Sequence, residues 1–191
     1  MTLSDRDIKK YIKNGKIKIY PKPNLKERLG PCSLDLSLGN IFKVFNHVKI
    51  PYIDLKGKSP FEEMMEKIRV ENSQPFILQP GDFVLAITNE KVKLSSDIMA
   101  RLDGRSSLGR LGIIIHITAA RIDPGFEGKL AMELGNVGVL PVALYPGMKI
   151  CSLTFEILSS PSEIPYYKKK EKKYLKQKTP LASKINQEFR K

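Results

Sequence analysis

The residues that could do chemistry crowd into one stretch, Leu102 to Asn136. Gly104-Arg105-Ser106-Ser107-Leu108-Gly109-Arg110 sets two guanidinia and two hydroxyls among glycine-flanked amides. Such a turn can cradle an anion on its N–H groups, with the planar arginine fork clamping phosphate oxygens. The alternative is structural: Ser106 or Ser107 caps a helical turn and the arginines lie in solvent. Asp123-Pro124-Gly125 is a turn by composition, and its carboxylate could also accept from a sugar hydroxyl. Glu133 interrupts the otherwise apolar run Leu130-Ala131-Met132-Glu133-Leu134. A carboxylate half-buried in such a strand is costly unless it is used or paired, and it suits a general base working near neutral pH. Were the strand at a sheet edge, Glu133 could simply face solvent. His116, inside the run Ile113 to Ile117, reads as a core histidine before it reads as a catalyst.

Metal chemistry can be narrowed by spacing. A zinc nucleobase deaminase needs H-x-E and P-C-x-x-C. Neither His47 nor His116 is followed two positions on by Glu, and Cys32 and Cys151 stand far apart. A zinc site held by the protein is not expected, and any metal is expected to be Mg²⁺ carried on substrate phosphates. Two unpaired thiols also suit a reducing, cytoplasmic setting.

Charge alone does not choose a function. The 191 residues carry a net +13, which invites a nucleic-acid reading. More than half of it is local, however: residues 163–191 hold ten Lys/Arg against three Asp/Glu. A cationic tail attracts a small polyanion such as a nucleoside triphosphate equally well. No apolar run approaches the roughly 18 residues that span a bilayer, and the first residues, Met-Thr-Leu-Ser-Asp-Arg-Asp, lack a signal-peptide pattern.

The elements that must position these groups are mostly short strands. Ser4, with Asp7 three residues on, predicts the start of an amphipathic helix running to Asn14, with Gly15 as its stop. Strands are expected at Lys16–Tyr20, across Leu34, Leu36 and Leu38, and at Ile41–Val44. A short helix is expected at Pro60–Val70. Further strands follow at Phe76–Leu78, Phe83–Thr88, Ile98–Leu102, Ile113–Ile117, Lys129–Leu134, Val139–Leu144 and Lys149–Glu156, separated by Pro-Gly and Ser-Ser-Asp turns. Strands of about five residues at 8–12-residue spacing indicate a β-sandwich or barrel-like domain. Pro161 and Pro165 mark its end, giving one domain over 1–165 and a basic, partly ordered tail over 166–191.

At these residues the chain resembles the dCTP deaminases of the dUTPase-like superfamily, nearly end to end. The resemblance is carried by Ser4-Asp5-Arg6-Asp7-Ile8, by Ser33 to Asn40, by Leu78 to Gly81 and by the Leu102–Asn136 block. It continues through Leu140-Pro141, Pro146-Gly147-Met148, Tyr166, Lys173 and Gln177. It implies a mainly β, distorted β-barrel or jelly-roll-like dUTPase-type fold with short peripheral helices. It also implies a homotrimer with sites at subunit interfaces. The implied reaction is zinc-independent hydrolysis of dCTP to dUTP and ammonia, supplying dUTP for dTTP synthesis, with dTTP as a possible effector. By position, Arg105, Ser106, Ser107, Leu108, Gly109 and Arg110 would hold the triphosphate and its Mg²⁺. Asp123 would take the deoxyribose 3′-hydroxyl, while Ala131, Met132 and Glu133 would line the cytosine. Glu133 would be the general base, with Ser106 and Arg110 positioning the water. Arg121 would support the site, and Tyr166, Lys173 and Gln177 would close over it as a lid.

Two alternatives stand beside that reading. Bifunctional relatives continue to dUMP and diphosphate, and carry Gly and an aromatic between Thr-Ala and Ile-Asp; here Ala120 and Arg121 fill those positions, as in deaminase-only enzymes. Ala131 and Gly109 also depart from the residues usual there. The second alternative is a basic nucleic-acid-binding module using the +13 charge.

Overall fold

A computed structural model describes residues 1–46, 52–57, 61–71 and 73–189. Pro60, His47 and the last two residues of the tail, all named above, lie outside the described residues.

Helix α1 (Asp5–Lys13) starts where the sequence places it: the Ser4 hydroxyl accepts from the Asp7 amide at 3.4 Å. Its Ile8 is fully buried, and Gly15 leaves the helix with φ +72°, a conformation a side chain would resist. Strand β1 (Ile17–Tyr20) follows, then a single turn, α2 (Leu25–Arg28), that the sequence did not announce. Strands β2 (Ser33–Ser37) and β3 (Ile41–Phe45) come next.

The expected Pro60–Val70 helix is not formed. A 3₁₀ turn, Phe61–Met64, leads into strand β4 (Met65–Arg69), which pairs antiparallel with β3 from Ile41↔Arg69 to Phe45↔Met65. Helix propensity is worth only tenths of a kcal/mol per residue. The hydrogen bonds of a strand completing the β3 edge outweigh it.

The remaining strands are β5 (Phe76–Leu78), β6 (Phe83–Leu94), β7 (Ile98–Gly104), β8 (Ile113–Ile115), β9 (Arg121–Ile122), β10 (Glu127–Asn136), β11 (Val142–Leu144) and β12 (Lys149–Ile157). One helical turn, α3 (Ser106–Gly109), separates β7 from β8. The fold is mainly β, with short peripheral helices. A six-stranded sheet runs β4-β3-β6-β10-β8 with β1 also on β6; a four-stranded sheet runs β2-β12-β7-β9, and β11 pairs β5. Among the described residues the sheets stay open, so the barrel is one in outline only. A single buried cluster joins them, with Leu34, Leu153 and Phe155 from the four-stranded sheet against Val84, Val92, Met132 and Leu134 from the six-stranded one. Among the described residues no helix is long and apolar enough to cross a membrane.

Strand β10 is the axis of the site. It pairs with β6 on one side and with the short edge strand β8 on the other. Its burial alternates, so Leu130, Met132 and Leu134 enter the core while Ala131 and Glu133 face the opposite side. At its start, Glu127 is gripped by Lys91 at 2.5 Å and Lys93 at 2.9 Å across β6. Hydrogen bonds from Lys91 first, then Lys93, hold the Glu127 carboxyl down to about 2, from an ordinary 4.5. A depressed carboxylate adds stability above its unfolded pKa and loses it as pH falls toward the folded one. Glu127→Gln should therefore be less stable than the parent above about pH 5, with the gap closing toward pH 2. Thermal melts across that range would show it; a gap independent of pH would contradict it.

Candidate active site

A cavity of about 580 Å³, of a size that holds a small ligand, opens on the Glu133 side of β10. His116, Arg121, Asp123, Glu133, Tyr166 and Gln177 are among its polar lining, and Phe45, Phe61, Met65, Phe83 and Leu85 among its apolar lining; Leu85 stands opposite Glu133 on β6. The Ala131 side chain lies in the wall, whereas Met132 is fully buried in the core and can offer a ligand only its backbone.

Glu133 has a neighbour that the sequence left unassigned. Its backbone N–H donates to Nδ1 of His116 at 3.1 Å. Nδ1 is thus an acceptor, which leaves the neutral ring's proton on Nε2. That Nε2 faces the Glu133 carboxylate at 3.9 Å, too far for a direct hydrogen bond. The Glu133 side chain keeps 30% exposure and that of His116 10%. The carboxylate is therefore reachable from the cavity, on a backbone fixed by two strands. The signal in the sequence was a histidine ending an apolar run, but nothing there gives its pairing 17 residues away.

Asp123 sits between two cations. Arg121 Nε donates to one carboxylate oxygen at 3.2 Å and Lys169 Nζ, from the tail, to the other at 2.7 Å. The rest of the Arg121 side chain is exposed. Phe126 stacks obliquely on Tyr166, centroids 5.6 Å apart, and burial pushes the Tyr166 phenol above its usual value. That phenol oxygen accepts from the Tyr174 amide at 3.0 Å.

The tail is ordered against β10. The Lys129 amide donates to the Gln177 carbonyl at 3.0 Å, and the Lys176 amide to the Glu127 carbonyl at 2.6 Å. The Gln177 side-chain nitrogen donates to the Lys129 carbonyl at 2.9 Å. Its side-chain oxygen is buried with no partner. With under 1 Å² of its surface accessible, that oxygen does not open into the cavity. Lys173 does not line this cavity; it pairs with Glu188 beside a second, more open pocket.

The arginine–serine turn lies elsewhere. None of residues 105–110 lines the cavity. Arg105 leans on the four-stranded sheet, donating to the Lys149 carbonyl at 3.3 Å and lying 3.7 Å from Asp35. Ser106 to Gly109 form the helical turn of the structural alternative, although no side chain caps it. The amides of Leu108, Gly109 and Arg110 are used inside that turn. Ser106, Ser107, Gly109 and Arg110 are exposed and Leu108 is buried. Among the described residues no hydrogen bond or ion pair joins the turn to Glu133 or His116, although Gly104, at its start, lies against the Ile115 carbonyl. Among the described residues, no three His, Cys, Asp or Glu side chains cluster as metal ligands.

Known proteins resemble this chain in sequence and in fold. A family model described as dCTP deaminase-like matches residues 2–158. A "dCTP deaminase, dUMP-forming" from Dictyoglomus thermophilum is 54% identical over 99% of this chain and 97% of that protein. A "dCTP deaminase" from Thermomicrobium roseum is 51% identical over 99% and 96%. Among solved structures, the 2′-deoxycytidine 5′-triphosphate deaminase of Agrobacterium tumefaciens superposes with a TM-score of 0.63 at 21% identity, over 82% of this chain and 47% of that one. That last likeness concerns the fold; the sequence matches decide the kinship. The chain belongs to the dCTP deaminase-like family.

Proposed function

We propose that the protein hydrolyses dCTP to dUTP and ammonia at the Glu133 cavity. The observation that carries this reading is a solvent-reachable carboxylate on a fixed strand, in a cavity also lined by Asp123 and Tyr166. Glu133 takes a proton from water as the oxygen bonds to C4 of the cytosine. It passes that proton to N3, then moves the second one from the new C4 hydroxyl to the amino nitrogen, so that ammonia leaves as the C4 carbonyl forms. His116 holds the strand that carries Glu133. Gln177 belongs to the lid over the base, and Asp123 suits the 3′-hydroxyl. Ala131 and the Met132 backbone flank the ring. Tyr166 closes the recess, with Arg121 holding Asp123 in place; Lys173 serves the lid through Glu188.

Among the described residues Arg121 is the one Lys or Arg that lines the cavity, and it is paired with Asp123, so the triphosphate needs further cations. A neighbouring copy in a homotrimer would supply them from its Arg105–Arg110 turn, with Ser106 and Arg110 positioning the water. Support for assembly comes from β8, an edge strand whose Ile114 is exposed, with Ile117 and Phe83 also exposed around Gly135. An apolar edge beside a site is an expected place for subunit contact. Ile114→Lys should weaken assembly at least about tenfold, since burying one such side chain is worth about 1.5–3 kcal/mol. Light scattering would detect the smaller species, and an unchanged mass would count against this interface.

Mg²⁺ would arrive on the substrate, shielding phosphate charge rather than activating water. A cytoplasmic location and dTTP as an effector belong to the same proposal. Ala120 and Arg121 favour release of dUTP, while relatives named dUMP-forming favour the second reading, in which dUTP is also cleaved. Anion-exchange chromatography after incubation with dCTP and Mg²⁺ separates them. Accumulating dUTP supports a deaminase alone; dUMP with diphosphate supports the bifunctional reading. Tight, salt-sensitive oligonucleotide binding without dCTP turnover would replace both.

A further inference from the structure

The arm formed by residues 52–57 and 61–69 touches the tail in three chemically distinct ways. Glu62 accepts from the Ala182 amide at 3.1 Å through one carboxylate oxygen, and through the other pairs with Lys43. Phe61 and Met65 of the arm enclose Ala182 in a small buried cluster of its own, with Phe45, Leu85 and Ile185 packed against it. Lys56 lies over the Phe189 ring at 5.9 Å.

Lys43 makes this more than a surface contact. It sits on β3 with a side chain only 4% exposed, while that of Glu62 is 54% exposed. Burial, and then the nearby Lys67, lower its proton affinity. Among the described residues its carboxylate partner is Glu62. A buried ammonium ion needs such a partner, so Lys43 fixes Glu62 at one orientation. The second oxygen of Glu62 is then presented to the tail. The tail carries the contact inward: the Lys184 amide donates to the Tyr174 hydroxyl at 3.1 Å, and the Tyr174 amide to the Tyr166 hydroxyl at 3.0 Å. Three hydrogen bonds, linked through short stretches of the tail, thus connect Glu62 to the Tyr166 ring that lines the cavity.

We propose that this arm is a latch: Glu62, oriented by buried Lys43, caps the tail at Ala182 and holds Tyr166 and Gln177 closed over the Glu133 cavity. Glu62 is a positioning residue for the lid and touches no reacting atom. Only the turnover arm of the following test rests on the function proposed above.

Hydrogen exchange on the full-length protein, read by mass spectrometry, tests the latch without substrate. In Glu62→Ala, exchange across residues 178–186 should rise about tenfold or more, as expected when a hydrogen bond to a charged group is lost. Peptides from β10 and β12 should be unchanged. Because Glu62→Ala also strands a buried charge, the double variant Lys43→Met with Glu62→Ala repeats the test with that charge removed. Faster tail exchange in the double variant, over an unchanged core, supports the latch. Tail exchange equal to the parent in both overturns it. With dCTP, KM should rise about tenfold while kcat stays within about twofold. Faster tail exchange in a protein that never turns over dCTP would leave the latch standing and refute the function.

Discussion

Glu133→Gln is expected to cut deamination by about 10²-fold or more while dCTP still binds. The amide keeps the shape of the side chain and its contact with the cavity, but it cannot take a proton from water, and general-base assistance is typically worth 10²–10⁴-fold. The β10 backbone should hold, because the Glu133 amide that His116 engages remains. The expected signature is a fall in kcat with little change in nucleotide affinity, read by single-turnover ammonia release and by titration of binding. A variant with near-parental kcat would remove Glu133 from the chemistry and shift attention to the opposite face of the recess.

Removing the tail before Tyr166 should raise KM about tenfold or more and leave the fold intact. The tail supplies Tyr166, Tyr174, Gln177, Leu181 and Ala182 to the cavity wall. Each lost hydrogen bond or packed ring costs on the order of 1 kcal/mol or more in affinity. The main buried cluster is drawn almost wholly from residues preceding the tail, with Tyr166 only packed against its edge. Melting should therefore remain cooperative. An unchanged KM would mean that the tail covers the site without serving it.

Glu133 could be singled out in the sequence because a lone charge in an apolar strand is costly, and such costs are visible one residue at a time. Asp123 and the strand pattern were readable for similar local reasons. What escaped depends on distant pairing. Strand β6 runs on to Leu94, beyond the expected Thr88, since Glu90 is buried there through Ser37, whose amide and hydroxyl both donate to it. The Pro60–Val70 segment has helical composition but sits beside an unpaired β3 edge, and the sheet wins. His116 meets Glu133 only because β8 lies next to β10. The arginine–serine turn shows the same limit at a larger scale: its chemistry is local and legible, but its place outside the cavity is set by the fold.

The most direct test is ammonia released per dCTP consumed by the purified full-length protein, with Mg²⁺ present and zinc removed by phenanthroline. The account predicts one ammonia for each dCTP lost, at an undiminished rate after zinc removal. Consumption of dCTP without ammonia, or activity abolished by the chelator and restored by zinc, would contradict it.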